Sequence, residues 1–186
     1  TTPGKVANLA TIVNKIISQN EKCIVWTSFV KNADYLSNYL SEYGTCKVHG
    51  KLSYEIRNQS LENFKNNSEK KVLIATPGAA KEGLTLTNAN HVIFFDRTFS
   101  LDDYLQSQDR IHRISQKKTC HVYVLLMKDS IDEWVDALIE TKHGASMLGQ
   151  GDYSSFEEFN ENISFSFSSM LKDVLAPSNS ILLETK

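Results

Sequence analysis

Cysteine is scarce in this 186-residue chain. Cys23, Cys46 and Cys120 are odd in number, form no C-x-x-C, and lie in apolar, strand-like settings. Reduced core packing is therefore expected, rather than zinc binding or disulfides. No run of 18 apolar residues occurs, so no membrane-spanning helix is expected. No signal-type opening is present either, and an intracellular protein is expected. Internal repeats and low-complexity segments are missing. So is a strong charge of either sign: the net charge is −2. That charge is unevenly placed, because residues 149–186 hold six acids and two bases, leaving +2 for residues 1–148. The total neither supports nor excludes a nucleic-acid partner; local placement of bases decides.

A phosphate-binding loop is also lacking. Gly78-Ala-Ala-Lys-Glu-Gly83-Leu84-Thr85 follows an apolar run and nearly spells G-x-x-x-x-G-K-[ST]. Leu84 stands where the lysine should be, so the β- and γ-phosphates lose their main charge partner. No Asp-Glu pair ends a strand to hold Mg²⁺. The chain by itself is expected not to turn over ATP.

What is present is a regular alternation. Helical spacing of apolar residues marks 5–19, 31–42, 53–66, 101–114 and 130–143. Ser53 is the expected N-cap of the third, with Ile56, Leu61 and Phe64 inward. In the last, Ile131, Trp134, Val135, Leu138 and Ile139 form the expected buried side. Short apolar runs at 23–26, 46–49, 72–75, 92–95 and 121–126 read as strands. Such alternation implies a mostly parallel sheet covered on both faces, a three-layer α/β/α lobe of RecA-like layout. Ligands then meet the loops at the carboxyl ends of the strands, here starting at Thr27, His49, Thr76 and Asp96. Residues 1–148 are expected to form this lobe. Residues 149–186, acidic and rich in Ser and Phe, are read as an extension with a short helix.

The most pointed segment is Gln106-Ser-Gln-Asp-Arg-Ile-His-Arg-Ile-Ser-Gln116. If helical, it puts Gln106, Arg110 and Arg113 on one face, with Leu101, Tyr104 and Ile111 opposite. Two forked guanidiniums on a packed helix suit an anionic ligand with planar oxygens, above all phosphate. A solvated basic face is the alternative.

The order Gln106-x-x-Asp109-Arg110-x-His112-Arg113-Ile114-x-Gln116 resembles the last motif of the Swi/Snf ATPases, DNA translocases of helicase superfamily two. It matches seven positions in eleven. Ser115 replaces the family's usual glycine. Further segments follow in family order. Lys22-Cys-Ile-Val-Trp-Thr-Ser-Phe29 resembles Lys-Val-Leu-Ile-Phe-Ser-Gln-Phe. His49-Gly50-Lys51, with Arg57 and Phe64, resembles the family's aromatic-or-His-Gly segment. Residues 75–87 resemble Ser-Thr-x-Ala-Gly-Gly-x-Gly-Leu-Asn-Leu-Thr, but are one residue longer and carry Thr85 for Asn. Phe95-Asp96 follows, with Phe99 in place of the usual Trp.

The resemblance implies the second of two RecA-like motor lobes. It implies DNA-phosphate contacts from Thr27, Ser28, His49, Gly50, Lys51 and Thr76. It implies ATP contacts from Gly83, Gln106, Asp109, Arg110 and Arg113, with Arg110 and Arg113 as arginine fingers and Gln106 orienting a phosphate or water. Mg²⁺ would be held by the first lobe of the same protein, and the isolated lobe would be a monomer. Double-stranded DNA is the implied partner. Two other classes stay open: an RNA-helicase lobe of DEAD-box type, and a non-catalytic RecA-like binding module. The former usually has Gln-x-x-Gly-Arg-x-x-Arg, against which Asp109 and His112-Arg113-Ile114 argue.

Overall fold

The structure, a computed structural model, describes residues 4–80, 86–111 and 116–149. The chain divides into two compact units, Thr1–Met127 and Lys128–Lys186. In the first unit α1 (Gly4–Ser18) leads into β1 (Cys23–Trp26). Then come α2 (Val30–Tyr39), β2 (Thr45–Val48), α3 (Tyr54–Asn66), β3 (Val72–Ala75), β4 (His91–Phe94), α4 (Leu101–Gln108) and β5 (His121–Val124). The five strands form one sheet in the order β2-β3-β1-β4-β5. Every pairing is parallel. This is the expected RecA-like lobe.

The burial pattern explains which strands are central. All four residues of β1, β3 and β4 are buried, whereas β2 alternates and β5 is partly exposed. Strands with helices over both faces need apolar side chains on both, and edge strands do not. Cys23, Val25, Val72, Ile74 and Ile93 face one core with Val6, Leu9, Val13 and Ile16 of α1 and Ala33 and Leu36 of α2. Ile24, Trp26, Leu73, Ala75, Val92 and Phe94 face the other, with Leu61 and Phe64 of α3 and with Ile111. Cys23 and Cys46 are free and buried in these cores, and burial pushes the Cys23 thiol up to about 12.

Local chemistry sets the element ends. The Ser53 side chain accepts from the Ile56 amide and caps α3 as expected. At its other end the Lys22 ammonium donates to the carbonyls of Phe64 (2.5 Å) and Asn67 (2.9 Å). A cation there offsets the helix dipole. Gly44 lies at φ +67°, and a Cβ built on it would fall 1.8 Å from the Glu69 carbonyl oxygen. Only glycine fits that turn into β2.

Four expectations shift. Ile56 is 51% exposed rather than inward, because α3 joins the core only through Leu61 and Phe64. The fifth strand stops at Val124, and Leu126 is exposed. The helix expected over 101–114 ends at Gln108. In the second unit α5 spans Ile131–Gly149. Val135 and Ile139 are buried, but Ile131 is exposed, at the first turn. The Ser130 hydroxyl accepts from the Asp132 amide there. The expected short helix within 149–186 falls beyond the described residues.

A polar cluster closes the amino ends of β1, β4 and β5. The Glu21 carboxylate takes His91 Nε2 at 2.5 Å, and Asn90 Nδ2 and Lys118 Nζ at 3.1 Å each. The His91 and His121 rings stack at 4.8 Å. The hydrogen bond to His91, reinforced by Lys118 and Asn90 and opposed by burial, lowers the Glu21 pKa from 4.5 to about 2. A depressed folded-state pKa contributes stability above pH 4.5 that is lost as pH falls toward 2. Unfolding free energy measured across that window should fall less steeply for Glu21→Gln than for the native chain. Equal acid sensitivity of the two would remove Glu21 from this role.

Candidate functional site

The carboxyl ends of the strands are locked one residue beyond the sheet. Thr27 N donates to Ala75 O, Thr76 N to Val48 O and Phe95 N to Trp26 O, at 2.9 to 3.1 Å. The loops that follow therefore start from a fixed edge. Adjacent β1 and β4 send their chains to opposite sides of the sheet, β1 toward β2 and β4 toward β5. Such a switch point is where ligands of open α/β sheets bind.

An open groove of about 300 Å³ lies at this edge. Its walls include Ser28, Gly50, Thr76, Pro77, Gly78 and Asp103. Three sequence-selected residues, from the ends of β1, β2 and β3, thus meet in one place. Lys51 is exposed and adjacent to Gly50. A Cβ at Gly50 would meet nothing within 4 Å, so the backbone there is open to close approach.

Thr27 and His49 sit differently. Thr27 is fully buried, and its hydroxyl donates to Asp96 Oδ2 at 2.6 Å. His49 is also buried, with its Nε2 3.3 Å from Asp34 Oδ1 on α2. Lys47 Nζ reaches the same oxygen at 2.5 Å. That ammonium, above all, holds the Asp34 carboxyl below the usual range. Both side chains brace the edge from within.

Helix α4 stops before Arg110. α4 starts at Ser100, whose hydroxyl accepts from the Asp103 amide, and it ends at Gln108 with Asp109 as C-cap. Ile111 N then bonds Gln108 O, and Leu86 N takes the Arg110 carbonyl. These bonds turn the chain inward and bury Ile111 at 1% exposure. Gln106 and Asp109 remain exposed, whereas Arg110 is 8% exposed and engaged within the fold. The expected sharing of an exposed face by Gln106 and Arg110 is corrected accordingly. Gly83, His112 and Arg113 lie outside the described residues.

Two further residues organise the site. The Gln116 side-chain amide nitrogen donates toward the carbonyls of Thr87, Ala89 and Ile111, at 2.9 to 3.3 Å. Its oxygen accepts from the Lys118 amide. The motif's last residue is thus a brace for the loops beside the arginine segment. Asp96 joins the ends of β1 and β4. Sequence spacing could not assign either role, because Thr27 lies 69 positions from Asp96, and Thr87 and Ala89 lie 29 and 27 positions from Gln116. Arg97 follows Asp96 and lies over the Tyr104 ring, 5.0 Å from its centre. Among the described residues no group of three or more His, Cys, Asp or Glu could hold a metal ion. No helix among them is long and apolar enough to cross a membrane.

Sheet order, switch-point groove and arginine segment together define a RecA-like lobe of the helicase type. A model of the helicase conserved C-terminal domain matches residues 4–115. The chain belongs to that family, in its Swi/Snf branch. It is 32% identical over 141 residues to the ATP-dependent helicase fft1 of Schizosaccharomyces pombe, covering 75% of this chain and 15% of fft1. The C-terminal part of the Fun30 ATPase domain superposes with a TM-score of 0.70 at 29% identity, over 74% of this chain and 46% of that one. The Sulfolobus solfataricus SWI2/SNF2 ATPase core in complex with dsDNA gives 0.63 at 28% identity, over 86% and 35%.

Burial separates two members of the motif. Arg110→Ala should lower the thermal midpoint by roughly 4–8 °C, because it empties a packed site in the fold. Gln106→Ala, on the exposed helix surface, should shift it by about 1 °C or less. Thermal unfolding of both variants checks this, and equal shifts would contradict the burial assignment.

Proposed function

We propose that this chain is the second motor lobe of an ATP-dependent translocase acting on double-stranded DNA. The carrying observation is the convergence of Ser28, Gly50 and Thr76, from three separate segments, in one groove at the strand ends. A hydroxyl pair, an open backbone and a neighbouring lysine form a surface for phosphate rather than for base edges. Phosphate contacts position a protein without reading sequence, which suits a motor that moves along any DNA.

In this reading Ser28, Gly50, Lys51 and Thr76 touch the DNA backbone. Thr27 and His49 hold the loops that carry them. ATP is the substrate, bound between this lobe and a first lobe of the same protein. Gln106 on the exposed surface of α4 and Asp109 at its C-cap, with Gly83, Arg110 and Arg113, complete its site. Mg²⁺, which neutralises phosphate charge when bound, is assigned to the first lobe. An arginine aimed at the transferring γ-phosphate stabilises charge that spreads in the transition state. Arg113 is the direct finger. Arg110, packed into the fold, fixes the segment that presents it. Alternate gripping of DNA by the two lobes as the nucleotide is bound and hydrolysed gives net movement.

In the two-lobe protein, Arg113→Ala should lower DNA-stimulated turnover by roughly 10³–10⁵ while leaving DNA affinity nearly intact. Arg113→Lys should restore little, since a point ammonium cannot reproduce the planar fork. Near-native turnover of a folded Arg113→Ala protein would overturn the finger assignment. Lys51→Glu should weaken duplex binding and flatten its salt dependence by about one phosphate contact. An unchanged salt slope would remove Lys51 from the DNA path.

A further inference from the structure

Asp96 follows β4, yet its carboxylate is consumed by the end of β1. Oδ2 accepts from the Thr27 hydroxyl at 2.6 Å and from Asn32 Nδ2 at 3.0 Å. Oδ1 accepts from the Ser28 amide at 2.6 Å. The Phe29 amide in turn reaches Thr27 Oγ1 at 3.4 Å. One carboxylate thus fixes the backbone of Thr27-Ser28-Phe29 and the first turn of α2. Hydrogen bonds to an ionised acceptor are short and roughly twice as strong as neutral ones.

We propose that Asp96 is a positioning residue for DNA binding, holding the turn after β1 so that Ser28 can meet a backbone phosphate. The idea rests on the DNA reading of the groove given above. The Ser28 hydroxyl is buried and, among the described residues, has no hydrogen-bond partner. Leaving such a group unmatched costs about 1–3 kcal/mol. Ser28 nevertheless lines the groove with Gly50 and Thr76. A rotation about one side-chain bond is enough to redirect a serine hydroxyl between staggered positions. A phosphate oxygen in the groove then supplies the missing partner, while the turn itself need not move. The Ser28 amide is not available for the phosphate, because Asp96 holds it.

The sign of the effect separates this role from plain electrostatics. Asp96 is an anion beside a groove assigned to anionic DNA. By charge alone, Asp96→Asn should tighten DNA binding. As a positioning residue it should weaken it. An amide has one acceptor oxygen for the two that Asp96 uses, and its NH₂ faces groups that now donate.

The test uses the full two-lobe protein and measures ATP turnover against duplex DNA concentration. Asp96→Asn should raise the half-stimulating DNA concentration roughly tenfold, the equivalent of one lost charge-assisted bond. Its rate at saturating DNA should stay within about twofold of native. Thr27→Val, nearly isosteric but without the hydroxyl, should shift the same parameter in the same direction. Thr27→Ser should behave as native. The Thr27 pair carries the test if Asp96→Asn does not fold. Ser28→Ala and Thr76→Val report on the groove independently. If they weaken DNA stimulation while Asp96→Asn and Thr27→Val leave it unchanged or tighten it, the positioning role falls and the DNA reading stands. If none of the four changes it, the DNA reading falls and takes the positioning role with it.

Discussion

The functional end of this lobe depends on the in-step register of its five parallel strands. Val48, Ala75, Trp26, Phe94 and Val124 are paired in one continuous row. Each strand therefore releases its loop at the same level. Residues far apart in sequence, such as Ser28, Gly50 and Thr76, emerge as neighbours. Backbone bonds at Thr27, Thr76 and Phe95 extend the sheet by one residue and stiffen that edge. Sites carried on rigid elements hold their geometry better than sites carried on free loops. A one-residue slip in any strand would move its loop along the sheet and exchange the side chains on its two faces.

The two faces of the sheet support different parts of the site. Helices α1 and α2 seal one face, and α2 begins just past the turn that Asp96 holds. The other face packs against α3 and Ile111, so the arginine segment is rooted in the same core as the end of β3. Phe94, the last residue of β4, packs its ring 4.8 Å from that of Tyr104 on α4. The loop from Asp96 to Ser100 thus starts at the edge that carries the groove and ends at the cap of the helix carrying Gln106. Its length and anchoring, fixed at both ends by carboxylate and hydroxyl bonds, set the spacing between the two halves of the proposed site.

Much of this was legible from sequence where the physics is local. Four-residue apolar runs named the buried strands, because central parallel strands must be apolar on both faces. Ser53 could be read as a cap because its bond spans three residues. Ser28, Gly50 and Thr76 could be selected because the family resemblance and the strand ends point to the same loops, and the structure brings them together. The sequence misled where tertiary contacts override period. Helical spacing continued past Gln108, but Leu86 takes the Arg110 carbonyl and the chain turns into the core. Arg110 reads as an exposed partner of Gln106 by spacing alone and is buried in fact. The resemblance implies a phosphate contact for Thr27, yet its buried hydroxyl serves Asp96, 69 positions away. Nothing in local composition distinguishes a hydroxyl that meets solvent from one that meets a distant carboxylate.

The central claim is that this lobe belongs to a motor driven along duplex DNA. The most direct test is ATP turnover by the complete two-lobe protein with duplex DNA, single-stranded RNA, or no nucleic acid. The account predicts strong stimulation by duplex DNA, little by RNA, and directional displacement of a third strand from a triplex without separation of the duplex. Stimulation by RNA with strand separation would place the lobe in an RNA helicase instead. An absence of turnover with every nucleic acid would contradict the motor account altogether.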